Sequence, residues 1–155
     1  MAEQSKTEEK KFSIQKIYCK DISFETPTSP GIFTEQWQPE VDFNLGTKVE
    51  PLKDNIFEVS LTITITVKCG EHIAYLAEII QAGIFTLKGF DAKEKGPMLG
   101  SYCPGVLFPY AREVISDLVT KGGFPQLLLT PVNFDAVYAG HLHQQNSAPA
   151  NATVN

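Results

Sequence analysis

The chain has few cysteines, little positive charge and no long apolar run, and each shortage removes a class of protein. Its three cysteines, Cys19, Cys69 and Cys103, are odd in number and widely spaced, which argues against a disulfide framework and against a zinc site. They are expected to be reduced and mostly buried. Lys and Arg number 13 against 18 Asp and Glu, for a net charge of -5. That leaves no basic footprint for nucleic acid or anionic lipid, so an electrostatic partner should be cationic. No stretch approaches the roughly 20 apolar residues of a membrane-crossing helix. The opening MAEQSKTEEKK has no apolar signal core, so a cytoplasmic protein without membrane insertion is expected.

Catalytic constellations are missing as well. A nucleophile needs a base beside it, yet neither Cys103 nor any serine stands in a recognisable elbow with His72, His141 or His143. His141 and His143 are two apart, which on a helix sends them to different faces and does not make a metal pair. Gly122-Gly123 follows a helix instead of opening one, so it reads as a C-terminal cap and not as a phosphate loop. Arg112-Glu113 reads as a structural ion pair or an interface contact, not as an acid/base pair. A non-enzyme with no cofactor and no metal is expected, with a small acyl hydrolase as the competing reading.

What is present is patterned apolar residue, 43% of the chain, enough for one core. Residues 56–67 alternate Phe57, Val59, Leu61, Ile63, Ile65 and Val67 with Glu58, Ser60 and a threonine series, a strand with one core face. A turn at Gly70 leads into a longer strand over 73–87, in which Gly83 is expected to mark a bulge. Residues 12–25 switch apolar parity twice, which requires a bent or bulged strand. Val41, Phe43 and Leu45 form a short strand. Between these two, TPTSPGIFTEQWQP holds three prolines and one glycine and should lack regular structure. Helical spacing starts after Gly100, with Pro109 at the first turn of a helix over 109–120 and a second helix from near Pro131. The order predicts an α+β fold, a four-stranded antiparallel sheet with two main helices packed on one side. Residues 1–11 and 144–155 are expected to be disordered tails around a domain at 12–143.

Much of the aromatic and aliphatic content falls outside those elements: Ile32, Phe33 and Trp37 in the crossover, Phe124 and Leu127 to Leu129 between the helices, and Tyr138. Such material either closes the core or marks an interaction surface for subunits or extended peptides.

The blocks IYCKDISFETP (17–27), WQPEV (37–41), QAGIF (81–85), YCPGVLFPYARE (102–113) and GFPQLLLTPVNFDAVY (123–138) resemble the SecB family of protein-export chaperones, in order and over nearly the whole chain. The resemblance implies a homotetramer built as a dimer of dimers. It implies an ATP-independent holdase that binds unfolded preproteins and delivers them to the SecA motor. By position it implies a client groove of Trp37, Val41, Phe43, Leu45, Val137, Tyr138 and Leu142, and a SecA-facing surface of Asp21, Glu25, Leu76 and Glu78. In the family an acidic C-terminal tail also meets SecA. Residues 144–155 here contain no Asp or Glu, so the resemblance does not extend to that contact.

Overall fold

A computed structural model describes residues 9–147 of the chain. Strands β1 (Lys11–Glu25), β2 (Pro39–Lys53), β3 (Ile56–Cys69) and β4 (His72–Lys88) form one antiparallel sheet in the order β1-β4-β3-β2. The helices α1 (Ala92–Pro97), α2 (Cys103–Lys121) and α3 (Phe134–Ser147) follow, with a π-helical turn at Met98–Tyr102. The α+β class and the four-stranded sheet are therefore as expected.

The two parity switches of β1 are two bulges. Its register against β4 passes from Ile14↔Phe85 to Lys16↔Ile84 and from Cys19↔Gln81 to Asp21↔Ile80, which leaves Gln15 and Lys20 as extra residues. Each extra residue re-phases the strand, so Phe12, Ile17 and Phe24 pack against the core and Ile22 stands on the same face, opposite Ile79. Gly83 is not a bulge. It pairs in register with Ile17 and Val59, and a Cβ there would stand 2.8 Å from the Phe85 ring and 3.1 Å from Leu107. Close approach of α2 explains the glycine. The irregularity of β4 lies instead at Ala74, between Val67↔Tyr75 and Lys68↔Ile73.

β2 is longer than the short strand read around Val41 to Leu45. Pro51 does not end it, because β2 is an edge strand of this sheet, paired among the described residues with β3 alone, where a missing N–H is tolerated. The crossover, expected to lack regular structure, contains one 3-10 turn at Gly31–Thr34 that buries Ile32.

α2 also begins earlier than the sequence suggested, and Pro109 lies inside it. A proline within a helix costs about 3 kcal/mol. Here Cys103, Leu107, Ala111, Ile115 and Val119, spaced four apart, are all buried against Val59, Leu61, Ile63 and Ile79 of the sheet. Burial of a large aliphatic chain contributes roughly 1.5–3 kcal/mol each, so the helix continues through the proline. α1 went unread; Asp91 caps it by accepting a hydrogen bond from the Glu94 amide at 2.9 Å. Of the expected tails, residues 1–8 and 148–155 lie outside the described residues, while Lys11 opens β1 and residues 144–147 continue α3. α3 starts at Phe134, three residues after Pro131.

Candidate functional site

The crossover finds its packing surface at the end of α2. There Gly122 accepts the close approach of Phe24, and Gly123 takes the left-handed conformation, φ 87°. The chain then turns so that Phe124 enters an aromatic cluster. Its ring centroid lies 5.1 Å from Phe33, 5.6 Å from Trp37 and 4.9 Å from Tyr75, and Tyr75 lies 5.8 Å from Phe24. Cys69 ties the same corner, with its thiol 3.2 Å from both the Gln36 carbonyl and the Gln38 amide. The centring of this cluster on Phe124 is invisible in sequence, because its members come from four separate segments.

Beyond the cluster, the extended segment after α2 runs along the helix-side face of β2. A cleft of about 340 Å³ opens between Val41 and Phe43 of β2 and Leu127, Leu128, Leu129 and Val132. Val41, Phe43 and Leu128 are exposed, Leu128 at 74%. Leu45 continues the row, directly opposite Ile63. Trp37 joins this wall through Phe124. The three residues expected from α3 do not line the cleft. Tyr138 sits against Gly96 and Gly100, Val137 is half-buried, and Leu142 is exposed. An open apolar cleft beside an edge strand can take an extended chain by burial alone, which is non-directional and tolerant of sequence.

Among the described residues no helix covers the opposite face of the sheet. Asp21 pairs with Ile80, Ser23 with Glu78 and Glu25 with Leu76, so Asp21, Glu25, Leu76 and Glu78 form one continuous patch. The Thr64 hydroxyl donates to the Glu78 carboxylate at 3.2 Å. One acid was missed: Leu76 pairs with Thr66, and Thr66 with Asp42, which puts Asp42 in the same row as Glu25. Glu40 and Asp42 border a depression of about 540 Å³ that also includes Ile73 and Leu76. Farther along this face, the Tyr18 hydroxyl and the Lys20 ammonium both donate to Glu58, Lys20 at 2.8 Å. These bonds, Lys20 first, hold the Glu58 carboxyl below its usual range. Burial, followed by the Glu58 contact, pushes the Tyr18 hydroxyl up to about 12.

The remaining chemical candidates have structural roles. Cys103 is fully buried and burial pushes its thiol up to about 12, so no thiolate is available for attack. Cys19 is exposed rather than buried, with its thiol 3.2 Å from Gln81 Oε1. Arg112 lies over the Phe108 ring at 5.7 Å. Among the described residues no group of three or more His, Cys, Asp or Glu could hold a metal, and no helix is long and apolar enough to cross a membrane.

Comparison with known proteins shows the family and the fold. The family model described as "Preprotein translocase subunit SecB" matches residues 5–145. A protein-export protein SecB of Methylococcus capsulatus is 59% identical over 152 residues, covering 97% of this chain and 98% of that protein. One from Nitrosococcus oceani is 55% identical over 141 residues, covering 90% and 86%. Among solved structures, a Mycobacterium tuberculosis SecB-like chaperone, in complex with a ChAD peptide from an antitoxin, superposes with a TM-score of 0.66 at 18% identity, over 78% of this chain and 90% of that one. The chain belongs to the SecB family of protein-export chaperones, which are not enzymes.

Proposed function

We propose that this SecB-family protein is a cytoplasmic, ATP-independent holdase, which keeps unfolded preproteins competent for translocation and hands them to the SecA motor. The observation that carries the reading is the cleft along β2, where Val41, Phe43 and Leu128 are exposed together beside the aromatic cluster. Apolar burial contributes roughly 25 cal/mol per Å², so an extended client segment gains affinity there without nucleotide. The bare acidic face of Asp21, Glu25, Glu78 and Asp42 is the surface we assign to SecA.

A homotetramer, a dimer of dimers, fits the apolar residues that this chain's own helices leave uncovered. Ile22 pairs with the core residue Ile79 yet is 48% exposed, as is Ile14 at 45% opposite Phe85. Tyr110 of α2 is 51% exposed. A second copy is the economical cover for such faces. The functional test is light scattering of a denatured precursor diluted with and without the protein. Suppressed aggregation in the absence of ATP is expected, and undiminished aggregation at a molar excess of the protein would overturn the reading.

A further inference from the structure

The segment that enters α3 is extended and cannot by itself set the direction of the helix. Past Tyr138, residues 139–146 are exposed. The buried and half-buried side chains of α3 fall in its first turn and a half. Phe134 is buried with its ring edge-on to Phe108, centroids 5.9 Å apart. The buried Ser101 hydroxyl donates to Asp135, and Asn133 caps the helix by accepting from the Ala136 amide at 3.1 Å.

Tyr138 completes the seat. Its ring fills a notch between Gly96 and Gly100, four residues apart and so on one side of the chain. A Cβ at Gly100 would overlap the ring, 2.6 Å from its Cε2, and one at Gly96 would overlap the hydroxyl. The π-helical turn shapes this notch. Pro104 has no amide hydrogen to offer the Gly100 carbonyl, so the turn widens and the Cys103 amide bonds back to Met98.

We propose that Tyr138 in the Gly96/Gly100 notch, together with the Ser101–Asp135 hydrogen bond, is a latch that fixes α3 against the π turn. Tyr138 then serves client holding as a positioning residue and not as a wall of the groove. The client part rests on the function proposed above; the docking part does not. A helix of this length is marginal in water by itself, so an unlatched α3 frays and no longer holds Val137 and Leu142, which lie outside the cleft but which the family resemblance assigns to client binding, in a fixed place.

The test uses hydrogen exchange of the assembled full-length protein and the release rate of a bound, unfolded precursor. Gly100→Ala introduces a better helix former, so a purely local effect would slow exchange in this region. The latch requires the opposite: amides of 137–146 exchange about tenfold faster or more, while those of β3 and β4 are unchanged, and client release accelerates several-fold. Gly96→Ala should also loosen α3, but in a Tyr138→Phe background, where the hydroxyl it meets is gone, the added methyl should change α3 exchange little. Unchanged α3 exchange in Gly100→Ala, or an equal effect of Gly96→Ala in both backgrounds, overturns the latch. Faster exchange with unaltered client release overturns the positioning role. If the parent protein holds no client, the functional reading falls by itself and the exchange data still decide the latch.

Discussion

Glu25 and Leu76 stand directly opposite each other on β1 and β4, on the sheet face that α2 leaves bare. The pairing depends on the bulge at Lys20. Without that extra residue the strand would be out of phase by one position, Phe24 would face solvent and Glu25 the core. The same residue has a second use, since its ammonium reaches Glu58 on that face. One inserted lysine thus sets both the phase of the acidic patch and its border.

That ion pair gives a pH-dependent prediction. The Glu58 carboxyl is depressed in the folded protein, first by Lys20 and then by Tyr18. A depressed carboxyl contributes stability that is present above its unfolded value and is lost as pH falls through its folded value. Lys20→Met should therefore raise the Glu58 titration midpoint and move acid unfolding to higher pH, by a modest amount because Lys20 is half exposed. An NMR titration of the Glu58 carboxyl in parent and variant checks this; coincident curves would remove Lys20 as the main cause.

Gly83 tests the packing of α2 on the sheet. Because a methyl there would stand 2.8 Å from Phe85 and 3.1 Å from Leu107, Gly83→Ala should cost about 1–3 kcal/mol by overpacking, a loss of several degrees in Tm. If the glycine were needed only for backbone freedom, shrinking Leu107 would not help. Gly83→Ala with Leu107→Ala should recover part of the loss when compared with Leu107→Ala alone, measured by thermal unfolding.

Trp37 tests the groove. Its ring lies on Phe124 at 5.6 Å and is half-buried, so part of its surface is free to cover a bound segment. Trp37→Ala should weaken client binding about tenfold, equivalent to roughly 1.4 kcal/mol, while sedimentation still shows the parent's assembly state. Equal aggregation suppression by parent and variant at matched assembly concentration would count against the assignment.

Residues whose role depends on one strand or helix were legible in the sequence, and residues whose role depends on packing between elements were not. Alternation over 56–67 gave β3, and the parity switches of 12–25 anticipated both bulges, because side-chain period is a local property. The continuation of β2 past Leu45 was hidden because Gly46 and Pro51 are strand breakers unless the strand lies at an edge. Pro109 was misplaced as a helix start because the burial that carries α2 through it comes from β3 and β4. The family resemblance places Tyr138 in the groove, while its contact with Gly96 and Gly100, far behind it in sequence, is packing between elements that no local pattern shows. Asp42 was unremarkable until two ladders aligned it with Leu76 and Glu25.

The motor contact gives the last prediction. Residues 144–155 carry no acidic side chain, so on the proposed function a basic partner finds its negative charge on the acidic sheet face and not on those side chains. On the proposed function Asp21, Glu25, Glu78 and Asp42 supply it in one patch, which the proposed tetramer would repeat in each subunit. The screening length falls from about 10 Å at 0.1 M salt to about 3 Å at 1 M, so SecA binding should weaken steeply with ionic strength, whereas apolar client binding should not. Glu78→Lys reverses the charge at the centre of the patch and removes the acceptor for Thr64. It should weaken SecA binding by an order of magnitude or more and spare client holding. Asp42→Lys should follow it if the row Glu25, Leu76, Thr66, Asp42 is one surface. A chain ending at Ser147 should bind SecA like the parent. Calorimetry on these four proteins decides the matter: a large loss on truncation with none on either reversal would move the contact off the sheet face altogether.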